Sequence, residues 1–349
     1  MNLYEYVKNN NKTFEELPFN EVDNLVFAVL SYLDFEDMVS SNKKNKITLE
    51  ELSKTYFIKY PKPVFKEDIT VKRYTFKLLK ELITSNRFKD VLVYKYVFNH
   101  NKDMQFGAVT FEFNNMIYIS YEGTDDYISG WKEDCQLSYQ FPVKAHKEAI
   151  KYLNSYTFTN KKIILGGHSK GGNLALVAGM LANRILRNKI DHIYSNDGPG
   201  LRLKELTSKK YTRIKDKYTH IIPNSSLVGI LLRHDNDKVI KANGIIVYTH
   251  LPYTWQIDNN KFITSNLSKT SAIIDRGMLN WLDKYSYEQR ELFVNELFKA
   301  FDDNNIYSLN QFKFDLNIII DFLKSITSLD GIVKEMSLDL INVIKESIK

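Results

Sequence analysis

The apolar and polar positions divide the chain into three stretches of different period. In the first hundred residues the apolar side chains recur at helical spacing. Leu25, Val26, Val29, Leu30 and Leu33 form an i, i+4, i+8 stripe behind Asn20, a residue type that caps helix N-termini. The polar, basic run 40–46 reads as a loop, and a second helix is expected around Thr48–Phe57. Pro61 and Pro63 interrupt the pattern before another amphipathic helix, expected over Val71–Ser85.

At Phe106 the period changes from helical to alternating. Phe106–Phe113 and Met116–Tyr121 are rich in β-branched and aromatic residues and are separated by Asn114-Asn115, a good hairpin turn. The second of these runs ends in Glu122-Gly123-Thr124-Asp125-Asp126. A helix is expected from about Pro142 to Tyr156, followed by strands at Lys162–Gly166, Ile190–Asn196, Thr219–Pro223 and Ile245–Thr249. Strands that alternate with helices predict an α/β fold, a mostly parallel sheet covered by helices on both faces.

After about Leu267 the strand signals stop. Ser286 with Gln289, and Ser308 with Gln311, have capping-box spacing, and the helix begun by Ser286 places Phe293, Leu297 and Phe301 on one face. The expected organisation is therefore an α/β domain over residues 1–266, including the helical N-terminal region, with a helical C-terminal subdomain over 267–349 packed on it. No internal repeat or low-complexity segment is visible.

The chemistry concentrates in Gly167-His168-Ser169-Lys170-Gly171, which satisfies G-x-S-x-G. Five residues alone match often, so the flanks decide. The apolar run Ile163-Ile164-Leu165 leads in and an Ala/Leu-rich helix, Asn173–Leu186, leads out. A strand-to-helix turn this tight needs small residues, lifts the serine hydroxyl above the sheet and aims a helix N-terminus at a developing oxyanion. This is the nucleophile elbow of an α/β-hydrolase-like three-layer sandwich, with Ser169 as candidate nucleophile. The same glycines do not form a phosphate loop, because Gly171 is followed by Gly172-Asn173 instead of Lys-Ser/Thr. Two backbone amides are expected at the oxyanion hole: Lys170, which follows the nucleophile, and Thr124 at the end of an earlier strand.

On this fold the acid and then the base follow the serine. His192 and His220 fall within or at expected strands and read as structural. His250, placed at the end of the strand expected over Ile245–Thr249, is the preferred base, with His234 in Arg-His-Asp-Asn-Asp as competitor. Asp197 at the end of Ile190–Asn196 is the preferred acid, able to hold the imidazole tautomer. Asp235 and Asp237 stay open as alternatives. No two histidines have i, i+3 or i, i+4 spacing and Cys135 stands alone, so no metal and no cofactor are expected.

Composition adds bounds. With 349 residues, 44% hydrophobic and 26% charged, the chain can bury its own core without disulfides. A lone cysteine, a start without a signal-peptide pattern and the absence of a long apolar run lead us to expect a soluble, cytoplasmic protein. The net charge of +6 is modest, but residues 201–217 hold seven Lys and Arg against Glu205 and Asp216. That stretch suggests an anionic membrane surface as a partner; no nucleic-acid partner is expected, and the oligomeric state stays open.

The chain resembles the bacterial lipase-like α/β-hydrolases that carry a domain-of-unknown-function label, relatives of the class 3 (fungal-type) lipases. The resemblance rests on 18–25 (Pro-Phe-Asn-Glu-Val-Asp-Asn-Leu), on 123–126 and 130–134 (Gly-Trp-Lys-Glu-Asp), on 167–173, on 196–200 (Asn-Asp-Gly-Pro-Gly), and on His250 through Trp255. It implies Ser169 as nucleophile, Thr124 at the oxyanion hole and His250 as base. Class 3 lipases commonly have Arg before the oxyanion Gly-Thr, where this chain has Glu122. Their acid usually lies in a later Asn-Asp segment, where Asn224-Ser225-Ser226 carries no carboxylate. Either the acid has moved to Asp197, similar to its placement after strand six in pancreatic-type lipases, or the triad is weakened. The expected function is a serine carboxyl-ester hydrolase acting on lipid or short acyl esters through an acyl-enzyme. A catalytically silent scaffold that binds a protein partner is the alternative.

Overall fold

A computed structural model describes residues 1–63, 71–101, 104–124, 128–244, 246–303, 320–324 and 331–347. Its centre is an eight-stranded sheet in which spatial order follows chain order. The strands are β1 (Ile47–Thr48), β2 (Leu92–Asn101), β3 (Met104–Phe113), β4 (Met116–Tyr121), β5 (Lys162–His168), β6 (Ile190–Asn196), β7 (Tyr218–Pro223) and β8 (Asp237–Ile240). Pairings from β1 to β4 are antiparallel and those from β4 to β8 are parallel. The parallel half carries the candidate chemistry, because its C-terminal ends converge on one edge.

Strand periodicity sorts side chains between two cores. Val109, Phe111, Phe113, Tyr118 and Ile164 enter one, built with the N-terminal helices α1 (Leu3–Asn9), α2 (Glu21–Leu30), α3 (Leu49–Lys59) and α4 (Val71–Leu82). Their neighbours Phe106, Ala108, Ile117, Ile119, Ile163 and Leu165 enter the other. There they meet α6 (Lys144–Asn154) and α7 (Lys170–Leu181), reached after α5 (Ile128–Gln136). All ten residues of β3 are buried, as expected of a strand covered on both faces. With helices on both sides of this sheet, the fold is α/β-hydrolase-like.

In the N-terminal layer α2 starts where the capping residue Asn20 predicts. Asn20 accepts from the amides of Val22 and Asp23, while Asp23 accepts from the Asn20 amide, closing a capping box on α2. Thr48 and Glu51 do the same for α3. Asp23 has a second task. Arg87 donates to both its oxygens, from Nε at 2.7 Å and Nη2 at 2.5 Å, with both side chains fully buried. The same guanidinium donates to the carbonyls of Lys12, Thr13 and Leu17, sewing that loop to α2.

Two strands depart from expectation. The run expected as the strand Ile245–Thr249 is a 3₁₀ helix over Ile246–His250, with Ile245 outside the described residues. Gly244, at φ 101°, turns the chain away, and the place beside β7 is taken by β8, drawn from a segment whose acidic, basic composition reads as loop. A short β-branched run can belong to either state, and sheet pairing decides. β2, which the reading passed over, pairs along the whole of β3, with a bulge where Lys95 takes φ 54°.

Beyond the sheet lie α11 (Lys269–Lys284), α12 (Tyr287–Asp303) and α13 (Ile332–Ser347), after the short helices α8 (Arg184–Lys189), α9 (Leu203–Leu206) and α10 (Lys209–Thr212). Ser286 and Gln289 do form the capping box of α12, through bonds of 2.8 and 3.3 Å. Phe293 and Phe301 are buried beneath it and Leu297 is partly so. Ser308 and Gln311 lie outside the described residues. The three helices share a core with Leu137, Val143 and Leu232, and the Trp281 indole donates to the Met336 carbonyl at 3.1 Å. Among the described residues no helix is long and apolar enough to cross a membrane.

Removing the Arg87 side chain leaves Asp23 buried without its cation. Arg87→Ala is expected to lower the unfolding free energy by about 3–5 kcal/mol, measured by guanidinium denaturation. An Arg87→Met, Asp23→Asn pair should recover much of that loss, since no charge is then stranded.

Candidate active site

The site starts from backbone strain at the junction of β5 and α7. Ser169 sits at φ 57°, ψ −134°, a conformation that L-residues rarely adopt and that costs on the order of 1–3 kcal/mol. Its amide donates to the Asn196 carbonyl at 2.9 Å and its carbonyl accepts from Gly172 at 2.9 Å, so both sides of the turn are held. The flanking glycines are sterically required. A Cβ at Gly167 would stand 2.3 Å from the Gly171 carbonyl carbon, and one at Gly171 would stand 2.1 Å from the Tyr121 carbonyl oxygen.

One strand over, Asp197 follows β6 at φ 51° and is fully buried. Its Oδ2 lies 2.6 Å from His250 Nδ1, which donates to it. Its Oδ1 accepts from the Ser226 hydroxyl at 2.5 Å and the Gly229 amide at 3.0 Å. Ser226 belongs to the segment without a carboxylate; it donates to the carboxylate supplied from β6. Asn173, at the start of α7, donates to the carbonyls of Pro199 and Gly200 at 3.0 and 2.8 Å and so pins the turn after Asp197. Asn173 accepts in turn from His146 Nε2 at 2.7 Å, while His146 Nδ1 accepts from the Val143 amide. Burial pulls His146 down to about 4, which keeps this ring neutral and its donor pattern fixed.

His168, the residue before the serine, is a neighbour that sequence reasoning passed over. Its Nε2 donates to the His250 carbonyl at 2.8 Å, which leaves Nδ1 to accept from the Tyr32 hydroxyl at 2.9 Å. Burial, and then the neighbouring His250, hold its pKa well below the usual imidazole range. The His168 and His250 rings lie 4.5 Å apart. The elbow therefore carries its own anchor for the segment that bears His250. The only hint in the sequence was a histidine inside the elbow motif.

Around the expected oxyanion hole, Thr124 follows β4 closely and its hydroxyl donates to Asp134 Oδ2 at 2.5 Å. Burial raises Asp134 to about 6, against the lowering effects of Lys170 and the Thr124 hydroxyl. Lys170 is the first residue of α7. Its ammonium is buried, 2.5 Å from Glu133 Oε2 and 3.2 Å from the Gln105 carbonyl. A buried ion pair beneath α5 and α7 thus fixes the turn that presents the Lys170 amide. Glu133 and Asp134 were in view as part of a motif, but only the fold shows what they touch.

The remaining candidates separate cleanly. His192 donates to or accepts from the Thr219 hydroxyl at 2.8 Å, between β6 and β7. Asp235 pairs with Lys215 at 2.6 Å. His234 and Asp237 meet His220, and these three form a group that could hold a metal ion, found among the described residues. Burial alone would lower His234, but its bond to Asp237 and the nearby Asp275 push it up to about 9. The structure thus joins Asp197 to His250; among the described residues the Ser169 hydroxyl is hydrogen-bonded to neither. In its place, backbone bonds and His168 bring the three positions together.

A strained serine elbow between a strand and a buried helix, beside an Asp–His pair at the carboxyl ends of parallel strands, is the layout of lipase-like α/β-hydrolases. The chain belongs to the Mbeg1-like family, whose model matches residues 82–299. Among solved structures it is similar to M37 lipase, at 17% identity and TM-score 0.35, covering 59% of this chain and 68% of that one. It is similar too to the lipase of Rhizopus microsporus var. chinensis, at 16% identity and TM-score 0.34, covering 55% and 69%. A third is the Rhizomucor miehei lipase–propeptide complex, at 13% identity and TM-score 0.34, covering 66% and 76%. No curated protein matches the chain significantly.

The Asp197–His250 bond has a spectroscopic signature. A far-downfield proton resonance is expected in the native chain and should vanish in Asp197→Asn, which turns the ring to its other tautomer. Its survival in that variant would assign the proton to another pair.

Proposed function

We propose that the chain is a serine hydrolase of carboxyl esters, with lipid or short-acyl esters as substrates. The observation that carries this reading is the 2.6 Å bond between Asp197 and His250, placed beside a serine held in strained geometry. Ser169 Oγ attacks the acyl carbonyl as His250 Nε2 takes its proton, and Asp197 holds the ring and stabilises the imidazolium. The Lys170 and Thr124 amides receive the oxyanion, with the N-terminal end of α7 behind it. His250 then returns the proton to the leaving alkoxide. Water, deprotonated by the same ring, releases the acid and restores Ser169.

The basic stretch supports a lipid surface as the place of action. Arg202 is occupied by Glu205, and Lys215 by Asp235. Lys204, Lys209, Lys210 and Arg213 stay exposed. Exposed cations near an anionic bilayer each contribute about 1 kcal/mol, screened by salt.

A fluorophosphonate probe is expected to label the native chain at Ser169, and Ser169→Ala should lower ester hydrolysis by about four to six orders of magnitude. A folded native chain that neither labels nor hydrolyses esters would leave a silent, partner-binding scaffold as the correct description. On vesicles, hydrolysis should favour anionic over zwitterionic phospholipid at low salt. The preference should fade at high salt and weaken in Lys209→Glu, Lys210→Glu; equal rates at low salt would dismiss the lipid-surface role.

A further inference from the structure

A histidine of β7 and one of the segment that joins β7 to β8 meet at the edge of the sheet. His220 comes from β7 with its side chain fully buried, His234 precedes β8, Asp237 opens β8, and Asp275 reaches in from α11. Two ring nitrogens converge on one carboxylate. His220 Nδ1 lies 2.7 Å from Asp237 Oδ1, and His234 Nδ1 lies 2.5 Å from Asp237 Oδ2. The opposite nitrogens face oxygens as well. His220 Nε2 donates to the Gly198 carbonyl at 2.9 Å, and His234 Nε2 is 3.5 Å from Asp275 Oδ1. That Asp275 oxygen is itself buried without a hydrogen-bond partner among the described residues.

The donor pattern restricts what can fill the centre. A carbonyl oxygen only accepts, so His220 Nε2 carries a proton, and a neutral His220 aims its Nδ1 lone pair at an anion. If His234 likewise turns its Nε2–H toward Asp275, it does the same. Positive charge has to lie between these groups, either as added protons or as one divalent cation. Imidazoles that bind metals through one nitrogen characteristically donate the other N–H to a carbonyl or carboxylate. His220 has that outer partner in place in the Gly198 carbonyl, and Asp275 Oδ1, 3.5 Å from His234 Nε2 and without a hydrogen-bond partner among the described residues, stands where it can become the other.

We propose that His220 Nδ1, His234 Nδ1 and Asp237 form a three-ligand site for a divalent transition ion of the zinc type, with Gly198 and Asp275 as outer partners. The three ligand atoms lie within 4.8 Å of one another. Two nitrogens and a carboxylate suit zinc, which leaves a fourth position for water. Ligands about 2.0–2.2 Å from zinc stand farther apart than the present contacts, so the ion replaces protons and the carboxylate shifts outward. Asp237 can make that shift because β8 is the last strand of the sheet. Gly198 follows Asp197, so an ion held here braces the turn after Asp197 and ties it to β8 and α11.

The test uses the full chain, stripped with a chelator and desalted, then given equimolar zinc chloride and passed through gel filtration. About one zinc per chain should be retained by elemental analysis, and zinc at a hundredfold excess over its dissociation constant should raise the melting temperature by about 3–4 °C. His234→Gln and Asp237→Asn, checked as folded by circular dichroism, should lose both effects, whereas Asp235→Asn should keep them. No retained zinc in the native chain overturns the site. So does equal retention in both ligand variants, or imidazole nitrogen shifts at His220 and His234 that stay those of doubly protonated rings with zinc present. Because the readout is metal content, the result is independent of whether esters are hydrolysed.

Discussion

The contact on which the rest of the site depends is the close passage of the elbow over the end of β4. Gly171 lies so near the Tyr121 carbonyl that no side chain fits between them. That approach lets α7 start directly from β5, with Ser169 forced into positive φ as the joint. The strain is offset by bonds to Asn196 and Gly172 and by the burial of nearly the whole of α7. Were the helix to begin one residue later, the serine would relax and the amide of Lys170 would point elsewhere.

From that joint, polar groups radiate to each neighbouring element, and each is satisfied by a group of fixed donor type. Asn173 holds the turn after Asp197 and is held by a neutral His146. His168 holds the His250 carbonyl and is held by Tyr32, just past α2. Lys170 is held by Glu133 of α5. In a low-dielectric interior such chains are stable only when complete, so the layers on both faces of the sheet contribute to one geometry. The N-terminal helices thereby join the site: Asn24 of α2 donates to Asn196, which donates to the Gly167 carbonyl.

Much of the architecture was legible from the chain. Capping residues at Asn20 and Ser286 mark helix starts because the cap is a local hydrogen bond, made within three residues. The β3–β4 hairpin and the strands β5, β6 and β7 follow from alternation and turn chemistry. β2 and β8 were not legible, and neither was the 3₁₀ helix at Ile246–His250. Those segments take their state from a partner strand or from Gly244. His250 meets Asp197 although its predicted strand does not exist, since what holds it there is the Asp197 carboxylate and His168.

What the sequence by itself determined was the elbow. Glycine spacing, an apolar lead-in and a helical lead-out express constraints within a dozen residues, and these specify a strained serine wherever the strand goes. Tertiary structure alone decided the company that serine keeps. It brought Asp197 and His250 together over 53 residues, supplied Ser226 in place of a carboxylate, and gathered His220, His234 and Asp237 at the sheet edge. The physical reason is that hydrogen bonds between distant segments depend on strand order and register, which are settled by the burial of both sheet faces and leave no local trace in composition or period.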